Sequence, residues 1–461
     1  MRRVIYVCAG LAVCVSCSVG EDYEKPQFYT DATVAQNLNI TVQKPLPQKW
    51  YNDFADSQLT ALIEQGLQNN INIKTAVARI KQARAQLQMT KVAALPQINA
   101  QGGYNYDKQS KNIGLAADSH YYTAGFDASW EIDLWGKNRR QTEANRANLK
   151  VLKYTLKNIR LSVAAEIAAN YVNLLESTEN LRLAEKNARL QKEILSTVNA
   201  KYDSGLTDET AYSEAKYLLE NTRAQIPIYR AEIESYQNAL ATIIGVLTSE
   251  LNIKTNTAHR LSNAPRGKAE DLNELPVAVI RMRPDVAAAE QNLIAQNALV
   301  GAAVAELYPN IGLSGLWGYA AQGGSKLIRS SSQTYNYAPL VTLPLLDWNR
   351  LQNNVRLQKY IKEEAFENYK QAVIAAVAEV RNAQIAYRES VKSAQNQYRA
   401  LQNMRTAVNL TQKKYENGLI EFSDVVTAQQ NLIAAEQAYT AIRAQINQKK
   451  IAFYKAIGAP I

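Results

Sequence analysis

This chain contains itself twice. Asn72-Ile73 returns as Asp285-Val286, Leu95-Pro96-Gln97-Ile98 as Tyr308-Pro309-Asn310-Ile311, and Asp133-Leu134-Trp135 as Leu346-Asp347-Trp348. Lys201-Tyr202-Asp203-Ser204-Gly205-Leu206 matches Lys414-Tyr415-Glu416-Asn417-Gly418-Leu419, and Ile244-Gly245 matches Ile457-Gly458. All five landmarks share one offset of 213 positions (285 − 72, 418 − 205). Whatever the first copy builds, the second must build again.

The first residues bear on the compartment. Met1-Arg2-Arg3 is basic, and Val4 to Val15 is a mostly apolar run too short to span a bilayer, the layout of a secretory leader over residues 1–16. All three cysteines, Cys8, Cys14 and Cys17, fall in this region. Val15-Ser16-Cys17 resembles the lipobox in which a small residue precedes the acylated Cys; Cys14 competes, but Val13 is large for the position before cleavage. Acylation of Cys17 would leave the mature chain without a free thiol or an internal disulfide. A lipidated extension then covers 17–56, the first repeat 57–261 and the second 262–461.

The formal charge of +10 falls to about +8 when Arg2 and Arg3 leave (10 − 2). The excess is spread along the chain without a Lys/Arg block or aromatic-basic interleaving, which argues against a nucleic-acid partner and for a solvated helical surface. No later stretch reaches the roughly 18 apolar residues of a transmembrane helix.

Prolines are absent between Pro96 and Pro227, and from Leu345 only Pro460 remains. Apolar residues from Leu149 to Val198, spaced by three, four or seven, predict one helix over 141–203, about 95 Å long at 1.5 Å per residue. Its counterpart covers about 350–416. Gly205 and Gly418 suit the left-handed position that ends a helix. Shorter helices are expected over about 57–93, 208–244, 270–306 and 421–456, with a bend or irregularity at Pro227. Two short helices end to end match one long one, which suggests a coiled-coil cylinder.

Between short and long helices the period changes to two. Over 121–134, Tyr122, Ala124, Phe126, Ala128, Trp130 and Ile132 alternate with residues that include Asp127, Glu131 and Asp133. An apolar, aromatic face opposite an acid-bearing one is the pattern of a membrane strand between lipid and a watery lumen. Partner strands are expected over 97–107, 310–320 and 334–346, the last weakened by Pro339 and Pro344. Four strands cannot close a barrel and open edges are not tolerated in lipid, so eight strands from a dimer or twelve from a trimer are required.

These residues resemble the TolC-type outer-membrane efflux channels, in the lipoprotein branch that serves resistance-nodulation-division pumps. Cys17, Gly20, Tyr23 and Pro26 follow that branch's start, with Glu21 where Pro is usual. Trp50-Tyr51-Asn52-Asp53-Phe54-Ala55-Asp56-Ser57, then Leu59, is similar to its Trp-Trp-x-x-Phe-x-Asp-Pro-x-Leu segment, and Arg283-Pro284-Asp285-Val286 opens its second repeat. The resemblance implies a mixed membrane fold: a homotrimer with a 12-stranded outer-membrane β-barrel in contact with lipid and a long α-helical coiled-coil barrel. It also implies a periplasmic adaptor and an inner-membrane transporter as partners. The implied function is an exit duct for drugs or other small molecules; metal-ion efflux or type I protein secretion stay open, and a periplasmic coiled-coil scaffold is disfavoured by the paired strands. By motif, Asp424 matches a gate aspartate and Tyr415 a tyrosine that holds the entrance shut. Thr427 departs from the acid often found there, and the repeat-one equivalent of Asp424 is Ala211, near Asp208 and Glu209. Gly205-Leu206 and Gly418-Leu419 are the implied adaptor-docking tips. Asp424 also suits the first turn of a helix by its charge alone. His120 and His259 are isolated, and no metal cluster, phosphate loop or nucleophile motif occurs, so neither catalysis nor a cofactor is expected.

Overall fold

The computed structural model describes residues 18–26, 49–108, 110, 112, 119–253 and 279–461. Cys17, the leader, His259 and most of the 108–118 link lie outside them. A 3-10 turn (Trp50–Phe54) precedes α1 (Ser57–Asn69) and α2 (Ile71–Ala93), followed by β1 (Gln97–Asp107), β2 (Ser119–Ile132), α3 (Lys137–Asp203) and α4 (Glu209–Ile244). The second copy supplies a turn (Val279–Met282), α5 (Pro284–Ala305), β3 (Asn310–Ala321), β4 (Gln333–Thr342), α6 (Trp348–Glu416) and α7 (Phe422–Ala456). Adding 213 to the start of β1 gives 310 and to the start of α4 gives 422, the starts of β3 and α7. The duplication is therefore structural. The 67 residues of α3 make a helix about 100 Å long.

Two compact units are present. One holds Ala78–Lys153 and Ala288–Gln371 with the N-terminal residues; the other holds Tyr154–Ala287 and Ala372–Ile461 with Phe28–Val77. In the first, the strands form one antiparallel sheet in the order β1-β2-β3-β4. The register pairs Ala100 with Phe126, Phe126 with Trp317 and Trp317 with Tyr335. Since alternate residues point to one face, Ile98, Tyr104, Tyr106, Tyr122, Trp130, Leu313, Tyr319, Tyr337 and Val341 all join that row.

Four sequence expectations change. The helix expected over 57–93 is two helices, broken at Asn70, whose side chain accepts from Ile73 N–H at 3.0 Å. The strand expected to reach 346 stops at Thr342, two residues before Pro344, while Pro339 is tolerated in an edge strand. The alternation in β2 ends at Ile132, so Asp133 lies outside the strand. α4 runs unbroken through Pro227, which is exposed, so the carbonyl it leaves unpaired can turn to water. Residues 270–278 of the expected 270–306 helix are outside the described set.

The second unit contains a matched pair of junctions. Asn70 Nδ2 donates to the Ile243 carbonyl at 2.5 Å, and Arg283, its equivalent 213 positions on, donates from Nη1 to the Ala456 carbonyl at 2.6 Å. Ile243 and Ala456 are themselves 213 apart. Each helix end is thus capped by a side chain from a helix break, and each is followed by a glycine of positive φ: Gly245 at 86° and Gly458 at 65°. A Cβ on Gly245 would lie 2.9 Å from the Asn69 carbonyl oxygen, which explains why the chain needs glycine there. Arg283 also reaches Asp285 and Glu379 at 2.6 Å each. Burial alone would raise the Asp285 carboxyl, but the Arg283 guanidinium overrides it and holds the group below the usual carboxylate range.

Arg283→Met should therefore be destabilised by about 1–3 kcal/mol, chiefly because it leaves a helix-terminal carbonyl unpaired, while the partly exposed Asp285 and Glu379 are screened by water. Arg283→Lys should recover little, since one ammonium cannot reproduce the fork. Chemical unfolding in detergent is the measurement. The Asp285 contribution should hold through neutral pH and fade as pH falls through its depressed folded-state pKa.

Candidate functional site

The second unit brings two helix turns together. At the first, Gly205 takes φ 70° while Leu206 N–H donates to Lys201 O at 2.8 Å and Gly205 N–H to Tyr202 O at 2.9 Å. At the second, Gly418 takes φ 71°, with Leu419 N–H donating to Lys414 O and Gly418 N–H to Tyr415 O, both at 2.9 Å. These paired bonds satisfy the last carbonyls of α3 and α6 in the six-to-one arrangement that a left-handed glycine permits. The leucines that follow are left open to solvent, Leu206 at 77% exposure and Leu419 at 71%.

A small core joins the tips. Val198, Ala211 and Ala215 from the first copy pack with Phe422, Val425 and Val426 from the second. Tyr415 lies edge-on to Phe422 with centroids 5.3 Å apart, and Lys201 Nζ sits 4.5 Å above the Tyr415 ring. Burial pushes the Tyr415 phenol up, and a hydrogen bond with Thr207 opposes that. Tyr415 is thus a cross-tip contact, reached by a cation on one copy and a ring on its own.

Asp424 and Thr427 are both exposed, one helical turn apart on α7, while Val425 and Val426 between them face inward. Thr427 Oγ1 donates to the Ser423 carbonyl at 2.9 Å. Ala211 is buried in the tip core, and Asp208 caps α4 by accepting from Ala211 N–H at 3.0 Å. Asp424 and Tyr415 therefore belong to different layers: Tyr415 is in the packed tip, Asp424 on its surface.

In the first unit, Asp127 and Glu131 lie on the polar face of β2, and Asn99 Nδ2 donates to Asp127 across the ladder at 3.2 Å. Asp133 instead accepts from Asn138 N–H at 3.0 Å and Arg139 N–H at 2.9 Å, so it opens α3 rather than joining that face. Among the described residues no group of three or more His, Cys, Asp or Glu could hold a metal, and no helix is long and apolar enough to cross a membrane.

Sequence reasoning missed a cleft of about 360 Å³ in which Asn180, Asn187, Gln430 and Glu436 face in among the apolar Leu183, Leu218 and Ile433. Glu436 is buried, receiving Asn187 Nδ2 and Arg405 Nη2 at 3.2 Å each. The signal was present as amides at core-facing helical spacing.

Two segments, residues 62–246 and 275–459, match the sequence model described as outer membrane efflux protein. Together they cover well over half of the chain, and they start 213 positions apart (275 − 62). The chain belongs to the outer membrane efflux protein family. Among relatives, the cation efflux system protein CusC of Escherichia coli O6:H1 is 26% identical over 464 residues, covering 99% of this chain and 98% of its own. The pyoverdine export outer membrane protein OpmQ of Pseudomonas putida is 27% identical over 434 residues, covering 92% and 90%. The solved structure of the outer-membrane channel OprN superposes with a TM-score of 0.88 at 26% identity, covering 96% of this chain and 99% of that one. The protein is an outer-membrane efflux channel, built as a duplicated unit of long coiled-coil helices and a four-stranded share of a transmembrane β-barrel.

A Cβ at Gly205 or Gly418 would meet nothing within 4 Å, so only backbone conformation resists substitution there. Gly205→Ala and Gly418→Ala should each cost about 1 kcal/mol locally. Amide exchange at the altered tip should quicken about fivefold, with global unfolding little changed.

Proposed function

We propose that three copies close one 12-stranded barrel (3 × 4), with β1 of each copy pairing with β4 of the next. The observation that carries this is the sheet itself: one face apolar and aromatic, the other polar, both outer edges open among the described residues. Exposed rings such as Tyr335 at 70% and Tyr337 at 75% suit lipid, and Asp127 and Glu131 suit a watery lumen. The open edges of β1 and β4 need partners in a bilayer. Native mass spectrometry in detergent should give a trimer of the mature chain; a stable monomer would refute the closure.

The tips are proposed to dock a periplasmic adaptor through Leu206 and Leu419, and that adaptor to link the duct to an inner-membrane resistance-nodulation-division transporter. Their support is a pair of exposed apolar side chains held on turns of matched geometry. Asp424, with Thr427 a turn away, is proposed to line the periplasmic gate, with Tyr415 bracing it from within. The domain boundaries follow as leader 1–16, extension 17–56, and repeats 57–261 and 262–461.

Cys17 is proposed to carry the lipid. The residue after it, Ser18, lies where β2 gives way to α3: Val19 N–H donates to the Trp135 carbonyl at 3.1 Å, and a Cβ on Gly136 would meet Ser18 Oγ at 2.7 Å. Ser18 thus lies at the foot of the sheet, beside the stacked rings of Trp135 and Tyr308, which supports an anchor on the residue before it.

Relatives named for cation efflux and for pyoverdine export match this chain at similar identity, so likeness does not select a cargo. Small-molecule efflux is the proposed reading, with the energised transporter choosing the substrate. Met89, Met282 and Met404 are well separated in sequence, an unpromising basis for a soft-metal relay.

Asp424→Ala should shift cation selectivity in planar-bilayer recordings, and Asp424→Arg should change conductance and ion preference more, with the trimer intact. Unchanged behaviour in both variants would move Asp424 away from the constriction. Mass spectrometry of the mature N-terminus should find a diacylglycerol-bearing Cys17; an unmodified Cys17 or cleavage elsewhere would reject the anchor.

A further inference from the structure

The first part of α3 carries cations that its fold does not use. Between Lys137 and Arg160 the helix has eight Lys or Arg and a single acid, Glu143. Lys137 pairs with Glu306 at 3.1 Å, Arg139 lies 3.6 Å from Asp133, and Arg140 holds Asp22 at 2.8 Å and Glu143 at 3.0 Å. Arg146, Lys150 and Lys153 are exposed and have no ion-pair partner among the described residues. At 100° per residue they share one face with Arg139. Along the sequence the basic excess looks evenly spread; the helical period gathers it into a stripe.

Charge on this face is not required by the architecture. The positions 213 residues on, in the second copy, are Lys359, Glu363 and Phe366, one cation, one anion and one aromatic on an equivalent helix. The helix that carries the stripe is also flanked by its own chain. Asn145 of α3 meets Thr90 of α2 at 2.7 Å, and Arg140 lies against Gly301 of α5, so this chain's own helices flank α3. By contrast α2 underlies the edge strand β1, and its unpaired cations could meet acids of another copy.

The outer side of this helical layer is marked by the N-terminal segment. It leaves the proposed lipid anchor and crosses Arg140 through the Val19 and Gly20 carbonyls and Asp22. Glu143, bonded to Arg140, stands between that segment and the stripe. On this geometry, which rests on the anchor reading above, the stripe faces the periplasm just beneath the sheet.

We propose that Arg146, Lys150 and Lys153 form a docking surface for a carboxylate-bearing periplasmic polymer, the chemistry of the peptide-crosslinked cell wall. A lipid surface fits less well. Arg139 to Lys153 covers about 21 Å of helix, and charges that far from the head groups lie beyond a screening length of about 8 Å. A flexible anionic polymer can follow the whole stripe, and three stripes around a trimer would multiply weak contacts.

The test uses the full-length detergent-purified trimer and cell-wall sacculi stripped of protein. Wild type should co-sediment with sacculi at low salt and be released at high salt. Arg146→Gln/Lys150→Gln/Lys153→Gln should bind about tenfold more weakly or worse, with trimer mass and conductance unchanged. Charge reversal to Glu at the same positions should abolish binding, which guards against a merely partial neutralisation. Cys17→Ala should still bind, separating this idea from the anchor. Equal retention of the triple variant, or salt-insensitive retention of wild type, would overturn the proposal. So would loss of co-purified anionic phospholipid in the triple variant, with sacculus binding intact.

Discussion

A bilayer offers the backbone no hydrogen-bonding partner, and the rest of this structure follows from how the chain meets that constraint. Each copy of the repeat contributes one hairpin, and β2 and β3 join them into a sheet whose inner pairs are satisfied within the chain. The edges at β1 and β4 are left for other copies. The aromatic row through Phe126, Trp317 and Tyr335 is consistent across all four strands only because the register holds without a one-residue slip, which would turn it toward water. The sheet thus fixes the oligomeric logic, and the helices inherit it.

Long helices bring their own difficulty, since α3 and α6 are too long to be held by local propensity and must be packed along their length. The paired junctions at Asn70 and Arg283 fix the ends of the shorter helices α4 and α7 in the second unit. Both cap a helix end with a side chain from a break in another helix, yet one uses an amide and the other a guanidinium with two carboxylates. The charged version adds directionality at the expense of desolvating Arg283, whose side chain is 7% exposed. The Trp50 cluster works in the same region by apolar means: Trp50 is fully buried and stacks on Tyr454 at 5.4 Å, and Tyr454 in turn donates to Asp53.

Much of this was legible in the residues. Period two placed the apolar row of Phe126, Trp317 and Tyr335 on its observed face, although it carried β4 past its end at Thr342, and the glycines at 205 and 418 announced both helix ends. Two of the misjudged boundaries share a cause: a side chain overrode the periodic signal. Asn70 breaks a run that reads as continuous helix because its amide finds the Ile243 carbonyl 173 residues away, a contact without any local signature. Asp133 continues the alternation of β2 on paper, but its carboxylate is drawn to the free N–H groups of Asn138 and Arg139. The stripe on α3 was hidden because charge was read along the chain rather than around the helix.

The duplication supplies an internal comparison that separates what the fold needs from what one copy alone has acquired. Where the copies agree, at Gly205 and Gly418 or Gly245 and Gly458, the shared feature is a backbone conformation that either copy would lose with a larger residue. Where they differ, the tip core shows the consequence. Phe422, Val425 and Val426 are buried in it from the second copy, while the positions 213 residues earlier are Glu209, Tyr212 and Ser213, and the first copy buries Val198, Ala211 and Ala215, with Ile194, Leu195 and Tyr212 packed against them. Asp424 is exposed whereas its equivalent, Ala211, is buried in the tip core, so an acid at 211 would break the packing that joins the two copies. A ring built from such tips would carry the Asp424 position on every second tip only, with Asp208 and Glu209 on the tips between.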